Sequence, residues 1–77
     1  MDNIEQEKQE LEFQEGVRNI EARQYRFEVN PNMDGIGFLG VLSFGTTKRK
    51  FLRGSSRMDV LKQATDIVKR SKPEDWN

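Results

Sequence analysis

"QYRFEVNPNMDGIGFLGVLSF", Gln24–Phe44, places two period-two runs on either side of a turn, and its reading decides the fold. In "QYRFEVN", Tyr25, Phe27 and Val29 alternate with Arg26 and Glu28, the pattern of a strand with one buried face. "PNMDG", Pro31–Gly35, supplies Pro and Asp-Gly turn signals that stop this strand and reverse the chain. "IGFLGVLSF" then reads as a second strand, with Ile36, Phe38, Leu42 and Phe44 on one face around Gly40. Leu39 and Val41 occupy its other face, which is apolar as well, so a cover for that face is expected.

Working outward, Gly45-Thr46 reads as a short turn and "TKRKFLR" as a third strand, whose Phe51 and Leu52 point to opposite faces. Gly54-Ser55-Ser56 ends that strand. Ser56 is placed to cap a helix, with Asp59 three residues on in a variant of the capping box. Val60, Leu61, Ala64, Ile67 and Val68 form its apolar stripe, Lys69, Arg70 and Lys72 suit its negative C-terminal end, and Pro73 prevents continuation. Upstream, a segment rich in Glu, Gln and Lys carries Phe13, Val17 and Ile20 at i, i+4, i+7, which predicts a docked helix over 10–22. Ile4 and Leu11 point away from that stripe, and residues 1–9 read as a flexible acidic extension. Residues 73–77 read as a C-terminal tail, whose Trp76 either folds back on the core or serves as an exposed anchor for a partner.

The predicted architecture is α+β: a single small domain over 10–72 in the order α-β-β-β-α. Its strands form an antiparallel meander packed with helices, and the second helix covers the Tyr25/Phe27/Val29 face. Phe27, Phe38, Leu42, Leu61, Ile67 and Val68 are its expected core. Cover for the Leu39/Val41 face is expected from the Phe13/Val17/Ile20 helix or from a second subunit.

The chain has 77 residues, 34% hydrophobic and 34% charged, which is lean for a self-sufficient core and suggests that part of the surface meets another molecule. It has no cysteine and no histidine. That excludes disulfides, thiolate or imidazole zinc sites, and nucleophilic catalysis with a histidine base. The glycines make neither a dinucleotide fingerprint nor a P-loop, and Asp34, Asp59 and Asp66 lack the spacing of a calcium loop. A non-enzymatic protein without metal or cofactor is therefore expected. No apolar run approaches the roughly 20 residues a membrane helix needs, and the N-terminus is acidic. A cytoplasmic protein with no membrane partner follows as the expectation.

Charge is sorted along the chain. Residues 1–34 carry nine acids and four bases, for −5, and residues 35–77 carry nine bases and four acids, for +5. Lys48, Arg49, Lys50, Arg53 and Arg57 concentrate the positive half. Such cations guard a strand edge against aggregation, and they are also the residues that would meet phosphates or an acidic protein surface. No exposed aromatic is evident as a stacking platform for single strands.

The α-β-β-β-α order resembles the double-stranded RNA-binding domain. Tyr25 opens the first strand, Pro31 falls in the first loop, and Phe38 and Leu42 match apolar positions of the second strand. Gly54, Ser56, Arg57, Val60 and Ala64 fall near the family's "GxSKKxAKxxAA" helix start, so the resemblance spans residues 10–70. It implies binding of a duplex through its phosphates, and from the residues themselves Lys48, Lys50, Arg53 and Arg57, with Arg49 next, are the ones expected to make those contacts, on the basic third strand and the following helix N-terminus. The chain departs from the family in lacking a loop His and in carrying Met58 and Leu61 where the helix start has lysines.

Two functions are thus expected. The first is a small regulator or adaptor, of the kind found as inhibitors in phages and mobile elements, that acts on another protein or on itself as a homodimer. Its candidate interface residues are Ile4, Leu11, Leu39, Val41 and Trp76. The alternative is a module that binds duplex RNA or DNA through the five cations.

Overall fold

The computed structural model describes the backbone of residues 2–76 and the side chains of residues 7–76. Its elements run α1 (Asp2–Ala22), β1 (Tyr25–Pro31), β2 (Phe38–Phe44), β3 (Lys48–Gly54) and α2 (Arg57–Arg70), followed by a 3-10 turn at Pro73–Asp75. The sheet is an antiparallel meander in the order β1-β2-β3. The fold is α+β, in the order α-β-β-β-α.

The register aligns Tyr25, Phe27 and Val29 of β1 with Phe44, Leu42 and Gly40 of β2, and these with Lys48, Lys50 and Leu52 of β3. Both helices pack on this one face. The close approach is made possible at two glycines. A Cβ at Gly40 would collide with Val60 of α2. One at Gly16 would lie 2.5 Å from Leu61, which explains a residue that otherwise weakens α1 by about 1 kcal/mol relative to Ala. The buried core comprises Phe13 and Ile20 of α1, Phe27, Leu42 and Leu52 of the sheet, Val60, Leu61 and Ala64 of α2, and Trp76. Phe38, Ile67 and Val68, expected among the most buried, pack against this core partly exposed.

The ends of the elements follow from local chemistry. Ser56 Oγ accepts the Asp59 N–H at 3.1 Å, so Ser56 caps α2 as expected, while Asp59 Oδ2 accepts the N–H of Ser55, the residue before the cap, at 3.1 Å. Between β1 and β2, Gly35 (φ 79°) and Gly37 (φ 74°) take left-handed backbone, and Asp34 Oδ1 accepts the Ile36 N–H at 2.9 Å.

Three expectations are corrected, and of the two outcomes expected for Trp76 one is found. Ile36 is held in this loop and is 77% exposed, so β2 begins at Phe38 and Ile36 takes no place on its inner face. Pro31, expected in the loop, is the last residue of β1 and pairs with Phe38. The helix expected from residue 10 starts at Asp2, because the Glu/Gln/Lys-rich segment continues it. Trp76 is 2% exposed: the 3-10 turn carries it back onto Tyr25, 5.8 Å between rings, and its Nε1–H donates to Ser71 Oγ at 3.1 Å. It closes the core, the fold-back outcome expected for it, and is not an exposed anchor.

Candidate interaction surface

Because both helices take one face of the sheet, no element covers the other among the described residues. The expected cover of Leu39 and Val41 by the Phe13/Val17/Ile20 helix is therefore overturned, since Phe13 and Ile20 join the same core as Phe27 and Leu42. An antiparallel sheet tolerates one solvated face when that face is polar. This one is polar only at its margins.

Three cross-strand rows make up the open face. Arg26, Ser43 and Arg49 form one, Glu28, Val41 and Phe51 the next, and Asn30, Leu39 and Arg53 the third. Val41 and Phe51 are directly opposed, about 4.5–5.5 Å apart at Cβ, and Leu39 lies two residues along β2 from Val41 and diagonal to Phe51, within reach of an aromatic ring, so the three make one apolar patch. Leu39 and Val41 are half-buried by their neighbours, whereas Phe51 is 67% exposed. Arg26, Arg49 and Arg53 surround the patch, and Glu28 is the one acid on it. Phe51 is the exposed residue of this face that sequence reasoning missed, since alternation separates it from Leu52 without showing which of the two faces inward. It also corrects the expectation that no exposed aromatic is available.

The five sequence-predicted cations do not form a single site. Alternation along β3 sends Arg49 and Arg53 to the open face, while Lys48 and Lys50 stand in rows with Phe44 and Leu42 on the helix side. Arg57 is engaged within the molecule. Its two terminal nitrogens donate to Glu10 Oε1 and Oε2 at 3.3 Å each, and its guanidinium lies 4.3 Å from the Phe13 ring centroid. The N-terminus of α2, where a phosphate was expected, is capped by Ser56 and the carboxylate of Asp59. The pair formed by Arg57 and Glu10 spans an open groove of about 770 Å³ between α1 and the start of α2.

Of the other sequence candidates, Leu11 is 62% exposed on α1 and remains available to a partner. The side chain of Ile4 lies outside the described residues. Trp76 is removed from the interface candidates by its burial. Among the described residues no cluster of three acids could hold a metal ion, and no helix is long and apolar enough to cross a membrane. In comparisons with known proteins, no protein-family model, no curated protein and no solved structure matches the chain.

Proposed function

We propose that this chain is a small non-enzymatic binding module, a regulator or adaptor that docks a protein surface across the open face of its sheet. The observation that supports this reading most is the patch formed by Leu39, Val41 and Phe51, an apolar surface with an exposed aromatic on the edge strand and arginines at its rim. Aromatic and Arg side chains are the residue types that anchor protein interfaces.

A second reading has its own observation in its favour. Arg49 and Arg53 flank Phe51 on the same strand and face, an arrangement that can stack a base and hold its neighbouring phosphates. The order of elements also keeps the resemblance to the double-stranded RNA-binding domain in play. Against it stand Glu28 in the central row, the zero net charge, and the engagement of Arg57 with Glu10.

Fluorescence anisotropy with a single-stranded oligouridine and with duplex RNA or DNA, at physiological ionic strength, separates the two. Weak or no binding is expected. A sub-micromolar, salt-sensitive affinity that Phe51→Thr or Arg53→Glu removes would transfer the face to nucleic acid.

A further inference from the structure

We infer that the protein surface docked on the open face is the outward side of α1 of a second copy, so that the chain assembles head to tail. This rests on the protein-docking reading of the open face and names its partner.

The two surfaces lie on opposite sides of the molecule. Phe13 and Ile20 turn one side of α1 into the core, and Leu11 stands about 200° around the helix from Phe13, exposed on the outward side. One turn before and one turn after Leu11 come Glu7 and Glu15, both exposed, with Lys8 and Arg18 the bases beside them. On the open sheet face Phe51 has Arg49 and Arg53 two residues to either side. The spacings match. Eight residues of helix place Glu7 and Glu15 about 12 Å apart, and four residues of strand place Arg49 and Arg53 about 13 Å apart. An acid–apolar–acid triad on one surface thus meets a cation–apolar–cation triad on the other, in register and with opposite charge.

The charge distribution also decides between modes of self-association. A two-fold face-to-face dimer would press Arg26, Arg49 and Arg53 of one sheet against the same residues of the next, which opposes it. Stacking α1 on the sheet instead supplies the missing third layer, leaving a sheet covered by helices on both sides. The surfaces in contact are different, so the interface is heterologous and can repeat from copy to copy. The sorting of −5 and +5 between residues 1–34 and 35–77 is the long-range counterpart of this pairing.

Sedimentation of the full chain and of two variants tests this. The wild type is expected to gain mass with concentration and to lose it with added salt. Phe51→Thr, with a dead sheet face, and Leu11→Gln, with a dead helix face, are each expected to remain monomeric. An equimolar mixture of the two should form a one-to-one dimer and grow no further, because each supplies the surface the other lacks. The charge-swapped pair Glu7→Lys/Glu15→Lys and Arg49→Glu/Arg53→Glu should likewise associate only when mixed with each other. Circular dichroism melts confirm that each variant is folded. The inference is overturned if the wild type stays monomeric at high concentration, if the mixture stays monomeric, or if Phe51→Thr abolishes association while Leu11→Gln leaves it intact. A monomeric wild type with no nucleic-acid affinity would leave the open face as a docking surface for a different protein, so the two readings fail separately.

Discussion

On the helix side of the sheet, the row Val29–Gly40–Leu52 receives Val60 of α2 so closely that Gly40 has no room for a side chain. On the other side, the adjacent row Glu28–Val41–Phe51 receives nothing from either helix among the described residues, and Phe51 is left 67% exposed. The two rows belong to the same three strands and differ by one residue of register. Their difference teaches how a lean chain divides its apolar residues. One set closes a core of nine buried side chains among the described residues, and a smaller set is left at the surface. The same division separates Phe13 from Leu11 on α1.

The sharpest way to break this comparison is to truncate the helix-side rows. Phe27→Ala should cost about 3–5 kcal/mol and Leu42→Ala about 2–5 kcal/mol, since both side chains are buried and would leave cavities. For a chain of this length total stability is roughly 4–12 kcal/mol, so urea denaturation should show either variant with a strongly lowered midpoint, a loss that is a large fraction of the total. A melt near the parent temperature in both would show that the faces are misassigned.

Trp76→Ala should follow closely, at about 3–5 kcal/mol, because the ring is buried against Tyr25 and its N–H is bonded to Ser71. Trp76 is also the only tryptophan, so its fluorescence reports on the same contact. Blue-shifted emission that moves red together with the loss of helix on heating is expected. Red-shifted emission in the native protein would return Trp76 to the exposed anchors.

Ser56→Ala should cost about 1 kcal/mol through the lost cap of α2, whereas Ser56→Asp should retain most of the stability. Equal losses in the two variants, measured by chemical denaturation, would mean that capping is not what Ser56 contributes. A smaller effect is expected from Glu10→Gln. The ion pair with Arg57 is nearly half exposed on both sides, so its loss should cost about 0.2–1 kcal/mol and should shrink in high salt. A larger, salt-independent loss would show that the contact of Arg57 with Phe13 depends on Glu10.

Most of the fold is legible in the sequence because each element carries its own period. The alternation of Tyr25, Phe27 and Val29 marks β1, and Ser56, Asp59 and the Val60/Leu61/Ala64 stripe mark α2. What was not legible depends on which surfaces meet. The stripe of Phe13 and Ile20 says that α1 docks, but nothing in it selects one sheet face over the other. Gly40 carries that information through its missing Cβ, and its meaning emerges only when Val60 is seen above it. Trp76 has no periodic neighbours, so its return to the core depends on the turn at Pro73–Asp75. Of the candidate site, Leu39, Val41, Leu11, Arg49 and Arg53 were readable as exposed or unpaired positions. Arg57 was not, because its partner Glu10 lies 47 residues away in sequence.

The most direct test of the division between the two faces is a thermal melt of the wild type and of the double variant Val41→Thr/Phe51→Thr at low and at high protein concentration. Threonine keeps strand propensity and removes the apolar patch. At low concentration the two midpoints should differ by no more than the loss of one cross-strand pair, about 0.2–1 kcal/mol. At high concentration only the wild type should gain in midpoint, because association stabilises the folded state by mass action. A fall in the variant at low concentration as large as that of Phe27→Ala would contradict the division, since the open face would then be part of what holds the fold together.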